Sequence, residues 1–229
     1  MIGIIVPAHN EEERIVACLQ SLVIAATQPA LAGEEVTLIV VLDSCTDSTG
    51  ALAQSMGVKT IAVHARNVGL ARQEGARAAI AAGARWLAFT DADSVVAPDW
   101  LNAQLALGAD AVCGTVAVGD WGAYGERMRR HFDLSYHDVD GHSHIHGANL
   151  GVSASAYTRA GGFAGLETGE DVALVQALIS SGARIAWSRQ PRVHTSVRPN
   201  YKAPRGFGAT LEKIEKLGLW LGSDPVAAL

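Results

Sequence analysis

The feature that most restricts this chain is a rhythm in its first hundred residues. Four short apolar runs, IGIIV (2–6), VTLIVV (36–41), VKTIAV (58–63) and WLAFT (86–90), are rich in Val and Ile and bounded by polar residues, as strands are. Between them lie stretches of helical composition at 11–26, 46–56 and 69–82. Glu11, Glu12 and Glu13 are expected in the first turn of the first helix, where the macrodipole favours negative charge, and Gly57 and Gly83 stop the second and third. Strand and helix in this alternation predict a parallel sheet covered on both faces, and runs that are continuously apolar agree with strands buried on both sides. Beyond Pro98 the rhythm loosens. Helices are expected at 99–107, 121–136, 153–160, 171–181 and 209–217, and strands at 111–118, 184–187 and 192–194, with the His- and Gly-rich segment GHSHIHGANLGV between them.

In such sheets ligands bind beyond the carboxyl ends of the strands. All four ends are polar here: PAHNEE, LDSCTDST, HARNVG and DADS. The last is the most telling, because a strand that reads as buried ends in Asp91 and Asp93. Two like charges this close raise each other's pKa unless something positive lies between them. On an extended backbone the two side chains share a side, with Cα atoms about 6.6 Å apart. A hard divalent cation such as Mg²⁺ or Mn²⁺ typically takes one or two carboxylates together with phosphate oxygens, so the pair would hold a metal against a substrate diphosphate. For the three residues alone, a helix cap plus a solvated Asp explains them as well. Asp43 follows the second strand and either caps a turn or accepts a hydrogen bond from a base or ribose. Neither a phosphate-binding Gly-rich loop nor GxGxxG follows the first strand.

Composition closes off other classes. With 49% hydrophobic and 18% charged residues among 229, the chain is an ordinary globular one, read as a single domain. A net charge of -5, with ERMRR (126–130) its one small basic cluster, argues against nucleic acid as a partner. Cys18, Cys45 and Cys113 form no CxxC pair, so a reducing cytosol is expected rather than a disulfide framework. No signal peptide is expected ahead of the run at Ile2, and no apolar stretch reaches the roughly 18–20 residues that span a bilayer. The chain is expected to be cytoplasmic, with a peripheral place at a membrane surface left open.

Four motifs stand in a recognisable order: IIVPAHNEEERI, VVLDSCTDST, ARNVGLARQEGARAA and FTDADSVVAPDWL. Together they resemble the nucleotide-sugar-binding half of the glycosyltransferase family 2 proteins of the GT-A fold. HGANLGVSASAYTRAGGF and GEDVALVQAL are similar to the acceptor-side segment and the ED motif of the same family. The resemblance covers about 1–195. It implies an α/β GT-A fold with a mixed, mostly parallel sheet flanked by helices, divided into a nucleotide-sugar-binding half (1–97), an acceptor half (98–198) and a tail with a short helix (199–229). The activity it implies is metal-dependent, inverting transfer of a hexosyl group from a nucleotide-diphosphate sugar to a hydroxyl acceptor, with Mn²⁺ or Mg²⁺ as cofactor. A UDP-sugar is the favoured donor and a GDP-sugar the alternative, since LDSC stands where the family often has DDGS.

Residue by residue, the resemblance implies that Pro7, Ala8, His9 and Glu11 line the nucleotide pocket and that Asp43 meets the base. Arg66 would border base and diphosphate, and Asp91 would lie near the ribose and reach the metal through water. Asp93 would ligate the metal directly, with His194 completing its sphere. Asp171 would be the general base, taking the acceptor hydroxyl's proton; on the residues alone, Glu170 and Asp171 are also ordinary helix-start acids. His146, Gly147, Asn149 and Glu170 would meet the acceptor; on their chemistry alone, Arg198 and Arg205 either contact the diphosphate through a closing tail or are solvated at the surface. His142, His144 and His146 alternate, so on a strand they would share a face and could bind zinc, or else belong to an acceptor loop. Trp121 and Tyr124 are either an aromatic floor for an acceptor or core. Two rival functions remain. A sugar nucleotidyltransferase wants a Lys- and Gly-rich first loop, which PAHNEEERI lacks, and a silent binding module would bind donor without turnover.

Overall fold

The computed structural model describes residues 1–119, 121–197 and 207–218. Among these residues eight strands form one sheet. In chain order they are β1 (Ile2–Ala8), β2 (Val36–Asp43), β3 (Lys59–Val63), β4 (Trp86–Phe89), β5 (Val95–Val96), β6 (Ala111–Val118), β7 (Leu150–Ser153) and β8 (Ile185–Thr195). The helices are α1 (Ile15–Ala26), α2 (Thr49–Ser55), α3 (Val68–Ala81), α4 (Trp100–Ala106), α5 (Gly125–Ser135), α6 (Ala154–Arg159), α7 (Glu170–Ser180) and α8 (Phe207–Leu217). The sheet order is β3-β2-β1-β4-β7-β6-β8-β5. β3, β2, β1 and β4 run parallel, β7 is antiparallel to both its neighbours, β8 runs parallel to β6, and β5 closes the edge antiparallel to β8.

β1 shows why the first half folds this way. All seven of its residues are buried, and the two-residue period sends Ile2, Ile4, Val6 and Ala8 into one core and Ile5 into the other. The first core takes Ile15, Leu19 and Leu22 of α1 with Trp100 and Leu101 of α4. The second takes Ala71, Ala76 and Ala79 of α3 with Leu174, Val175 and Leu178 of α7. Small residues bring α3 close to the sheet: a Cβ on Gly75 would come within 2.5 Å of Ile5 Cγ2 and 2.9 Å of Val41 Cγ2.

Several elements differ from the sequence-based expectation. α1 begins at Ile15 with no acid in its first turn, so Glu11, Glu12 and Glu13 precede the helix. Tertiary partners claim that segment: Glu12 Oε2 accepts from the Ser48 amide (2.9 Å), and the Glu11 amide donates to Thr49 Oγ1 (2.7 Å). The strands expected at 184–187 and 192–194 are one strand, β8, whose register on β6 shifts between Gly114 and Val116. β5 and β7 were too short to carry a periodic signal. Trp121 packs on Phe132 (centroids 5.3 Å apart) beside α5.

Candidate active site

β1 leads through α1 to β2 and on to β3 in one direction, after which the chain crosses back to place β4 on the other side of β1. This is a topological switch point, where open α/β sheets leave a crevice beyond the strand ends. A cleft of about 1440 Å³ lies there, lined by residues that follow β1, β2, β3 and β4 and, across from them, by 146–148, 166–171 and 195–196. Among the described residues, the non-glycine positions with positive φ are Asn10 (51°), Ala32 (52°), Ser44 (55°) and Arg66 (47°), and all but Ala32 line the cleft. Such backbone costs on the order of 1–3 kcal/mol and persists where surroundings over-determine it.

Asp43 supplies part of that determination. Its Oδ1 accepts from the amides of Ala65 (2.9 Å) and Arg66 (2.8 Å), and its Oδ2 from that of Asn67 (2.8 Å). Its carbonyl accepts from His9 Nδ1 (2.6 Å). Asp43 therefore holds the loop after β3 in place, and Pro7, Ala8, His9, Glu11, Asp43 and Arg66 all line one side of the cleft.

β4 ends at Phe89, and Asp91–Ser94 is not extended: the Ser94 amide donates to the Asp91 carbonyl (3.1 Å), closing a turn. Asp91 and Asp93 both still line the cleft. A positive partner for Asp91 is Arg72. Its side chain, buried on α3, donates through Nη2 to Asp91 Oδ1 (2.6 Å) and through Nη1 to Glu170 Oε1. The guanidinium lies 5.5 Å from the centre of the Phe163 ring, and a Cβ on Gly147 would meet it at 2.5 Å. Burial opposes the Arg72 charge, but Asp91, Glu170 and Asp171 outweigh it and hold the guanidinium protonated. Burial pushes the Asp91 carboxyl above its ordinary value; Arg72 opposes this, and Asp93 adds to it. Asp93 accepts from the Ser196 hydroxyl (2.9 Å) and, through its other oxygen, from the Ser94 hydroxyl (3.4 Å).

On the opposite side Gly169, at φ 72°, opens α7 and sets Glu170 and Asp171 in its first turn. Asp171 Oδ2 accepts from the Gly147 amide (2.9 Å), and both residues line the cleft with His146. Three expectations need correction. Asn149 is buried away from the cleft; its Oδ1 accepts from Trp100 Nε1 (2.9 Å) and its Nδ2 donates to the carbonyls of Thr115 (2.7 Å) and Pro191 (2.9 Å). Its amide is thus consumed by the core. Glu170 borders the cleft but is 6% exposed and spends its carboxylate on Arg72. His194 is exposed and absent from the lining, because strand alternation turns its neighbour Thr195 inward instead. Arg198 and Arg205 lie outside the described residues.

His142, His144 and His146 are not on a strand. Their rings stack, with successive centroids 5.3 Å and 5.9 Å apart, and among the described residues no cluster of three or more His, Cys, Asp or Glu is placed to hold a metal ion. Stacked rings present parallel nitrogens rather than convergent ones. For a metal shared with a diphosphate the donors that fit are hard oxygens, which Asp93 and Asp91 supply beside the Thr195 and Ser196 hydroxyls.

An eight-stranded sheet of this order, with a carboxylate-lined crevice at its switch point, defines the GT-A class of nucleotide-diphospho-sugar transferase folds. The sequence model for glycosyl transferase family 2 matches residues 3–161, and the chain belongs to that family. Among solved structures, S. aureus TarS 1–349 in complex with UDP-GlcNAc superposes with a TM-score of 0.68 at 16% identity, covering 94% of this chain and 65% of that one. Glucosyl-3-phosphoglycerate synthase from Mycobacterium tuberculosis in complex with Mn²⁺ and UDP-Glc gives 0.58 at 18% identity, covering 96% and 78%. The mannosyltransferase PcManGT from Pyrobaculum calidifontis in complex with GDP-Man and Mn²⁺ gives 0.65 at 19%, covering 87% and 57%. This chain thus spans about two thirds of the length of the TarS chain it matches. No curated protein matches it by sequence. Among the described residues no helix is long and apolar enough to cross a membrane.

Proposed function

We propose that this chain transfers a hexosyl group from a nucleotide-diphosphate sugar to a hydroxyl acceptor, with inversion, as one catalytic domain that acts in the cytoplasm. The observation that carries this reading is the cleft itself. Asp91 and Asp93 stand on its donor side, Asp171 stands across it, and the described lining carries seven carboxylates against two guanidiniums, Arg66 and the doubly paired Arg72. A diphosphate is repelled from such a wall unless a cation enters with it. Asp93 would hold Mn²⁺ or Mg²⁺, with Asp91 behind it and fixed by Arg72. When bound, that ion supplies Lewis-acid stabilisation of the charge that develops on the leaving diphosphate.

The protein's own residues do the rest. The loops after β1, β2 and β3, bound together through Asp43, form a preset wall for the nucleoside, with uridine or guanosine as its base. Asp171, fixed by the Gly147 amide, takes the acceptor's proton as the oxygen attacks the anomeric carbon from the side opposite the leaving group. Attack in that direction inverts the configuration.

The test is a thermal-shift series with UDP, GDP, CDP and ADP, each with and without Mn²⁺. A ligand at a hundredfold its Kd adds about 2.7 kcal/mol, or roughly 5–10 °C at this chain length. One diphosphate is expected to give that shift only with metal, and Asp93→Ala to remove it. No shift with any diphosphate sinks the donor reading, and an undiminished shift in Asp93→Ala removes Asp93 as ligand.

A further inference from the structure

A chain of hydrogen bonds behind the cleft wall bears on where one histidine carries its proton. The Val116 amide donates to the Tyr136 hydroxyl oxygen (2.9 Å), and that hydroxyl lies 2.9 Å from His146 Nε2. A phenol has one proton to give. Val116 is itself a donor there, so among the described residues His146 Nε2 is the partner left to accept that proton. In a neutral imidazole whose Nε2 accepts, the proton stands on Nδ1.

The surroundings keep both groups in these states. Burial first, then His144 and His142, push His146 down to about 4 against the pull of Asp171. Burial pushes Tyr136 up to about 12, although the Val116 amide works the other way, so the phenol keeps its proton. The Tyr136 ring is also held in place, stacked on Phe132 (4.5 Å, 15°) on one side and on His144 (4.1 Å, 11°) on the other. His146 lines the cleft, and the residue after it donates its amide to Asp171. The hydrogen bond to Tyr136 occupies Nε2, which leaves Nδ1–H as the ring's donor.

We propose that His146 is a fixed-tautomer hydrogen-bond donor of the cleft, its Nδ1–H holding an oxygen of the bound acceptor, and that Tyr136 is the positioning residue that sets this tautomer. The nature of that oxygen rests on the glycosyl-transfer reading, whereas the tautomer does not. A neutral N–H suits a hydroxyl oxygen, whose own proton remains free for Asp171, the residue that accepts the neighbouring Gly147 amide.

The tautomer is read directly from long-range ¹H–¹⁵N correlation spectra of the full chain labelled with ¹⁵N-histidine. The His146 signals are identified by their loss in His146→Gln and, independently, in His146→Asn. The expected pattern is Nδ1 protonated and Nε2 bare, unchanged from about pH 8 to about pH 5.5, where an ordinary imidazole would have titrated. Tyr136→Phe, which removes the hydroxyl and keeps the stacked ring, is expected to move the pattern toward Nε2–H. Wild-type signals of an Nε2–H ring, or a Tyr136→Phe spectrum identical to the wild type, overturn the proposal.

Kinetics with a working acceptor provide the second readout. The Asn amide falls near the place of Nδ1 and the Gln amide near that of Nε2. His146→Gln is therefore expected to lose about five- to tenfold more in acceptor kcat/KM than His146→Asn, with nucleotide affinity unchanged in both. The reverse order overturns the acceptor contact. If no acceptor turns over with the wild type, the glycosyl-transfer reading fails instead, and the spectra still decide the tautomer.

Discussion

Arg72→Met tests the electrostatics of the site through stability alone. The substitution keeps the length of an unbranched side chain on α3 but removes the cation that Asp91 and Glu170 share. Breaking a buried pair by removing one partner costs about 3–5 kcal/mol, since the remaining charge stays buried and unmatched. Glu170 is fully in this regime. Asp91 is about a third exposed and can draw water, which places the loss near the lower end, about 3 kcal/mol. For a chain of this length that lowers Tm by roughly 6–12 °C. Differential scanning calorimetry at matched pH measures it, with Arg77→Met as the control, since Arg77 pairs with Glu74 on the surface, where its loss is expected to leave Tm nearly unchanged.

The effect has a pH signature. Asp91 already has a raised carboxyl value in the folded chain, so the native state binds its proton more tightly than the unfolded state does. Stability from such a group is present at low pH and lost as pH rises through the folded value. Removing Arg72 takes away the opposing charge, raises Asp91 further, and makes the deficit of Arg72→Met smaller at pH 5 than at pH 8. A loss equal to that of the Arg77 control, or a deficit that grows as pH falls, refutes the reasoning.

Three further outcomes are expected. Asp171→Asn binds nucleoside diphosphate with unchanged affinity and loses transfer by about 10²–10⁴-fold, measured as single-turnover product formation; near-wild-type turnover removes it as base. Asn149→Ala leaves the Trp100 indole and two carbonyls unpaired and costs about 3 kcal/mol in urea unfolding, whereas a stable variant with a raised acceptor KM would return Asn149 to the acceptor site. Gly75→Ala gains about 1 kcal/mol of helix propensity, but the added methyl overpacks Ile5 and Val41 by about 1–3 kcal/mol, so Tm falls; a rise means that α3 lifts off the sheet at no cost.

What the sequence by itself determined was the parallel half of the sheet, the four polar strand ends and the need for a cation beside Asp91 and Asp93. Each follows from local pattern or from the chemistry of neighbouring side chains, which a linear reading contains. It did not contain the guanidinium that pairs with Asp91, because Arg72 sits on a helix nineteen positions earlier and meets Asp91 only when α3 packs on the sheet. The same holds for the misplaced helix start at Glu11, where Ser48 and Thr49 of the next unit override a local preference of less than about 1 kcal/mol. Asn149, Glu170 and His194 share the motif chemistry of a binding site, and only packing separates them: Asn149 is consumed by the core, Glu170 by Arg72, and His194 is turned outward by the two-residue period of β8. Tyr136 carries no sequence signal at all, since its role depends on reaching His146 and Val116 through space. Burial, charge pairing and hydrogen-bond partners belong to residues far apart in the chain, and so they were decided by the tertiary structure.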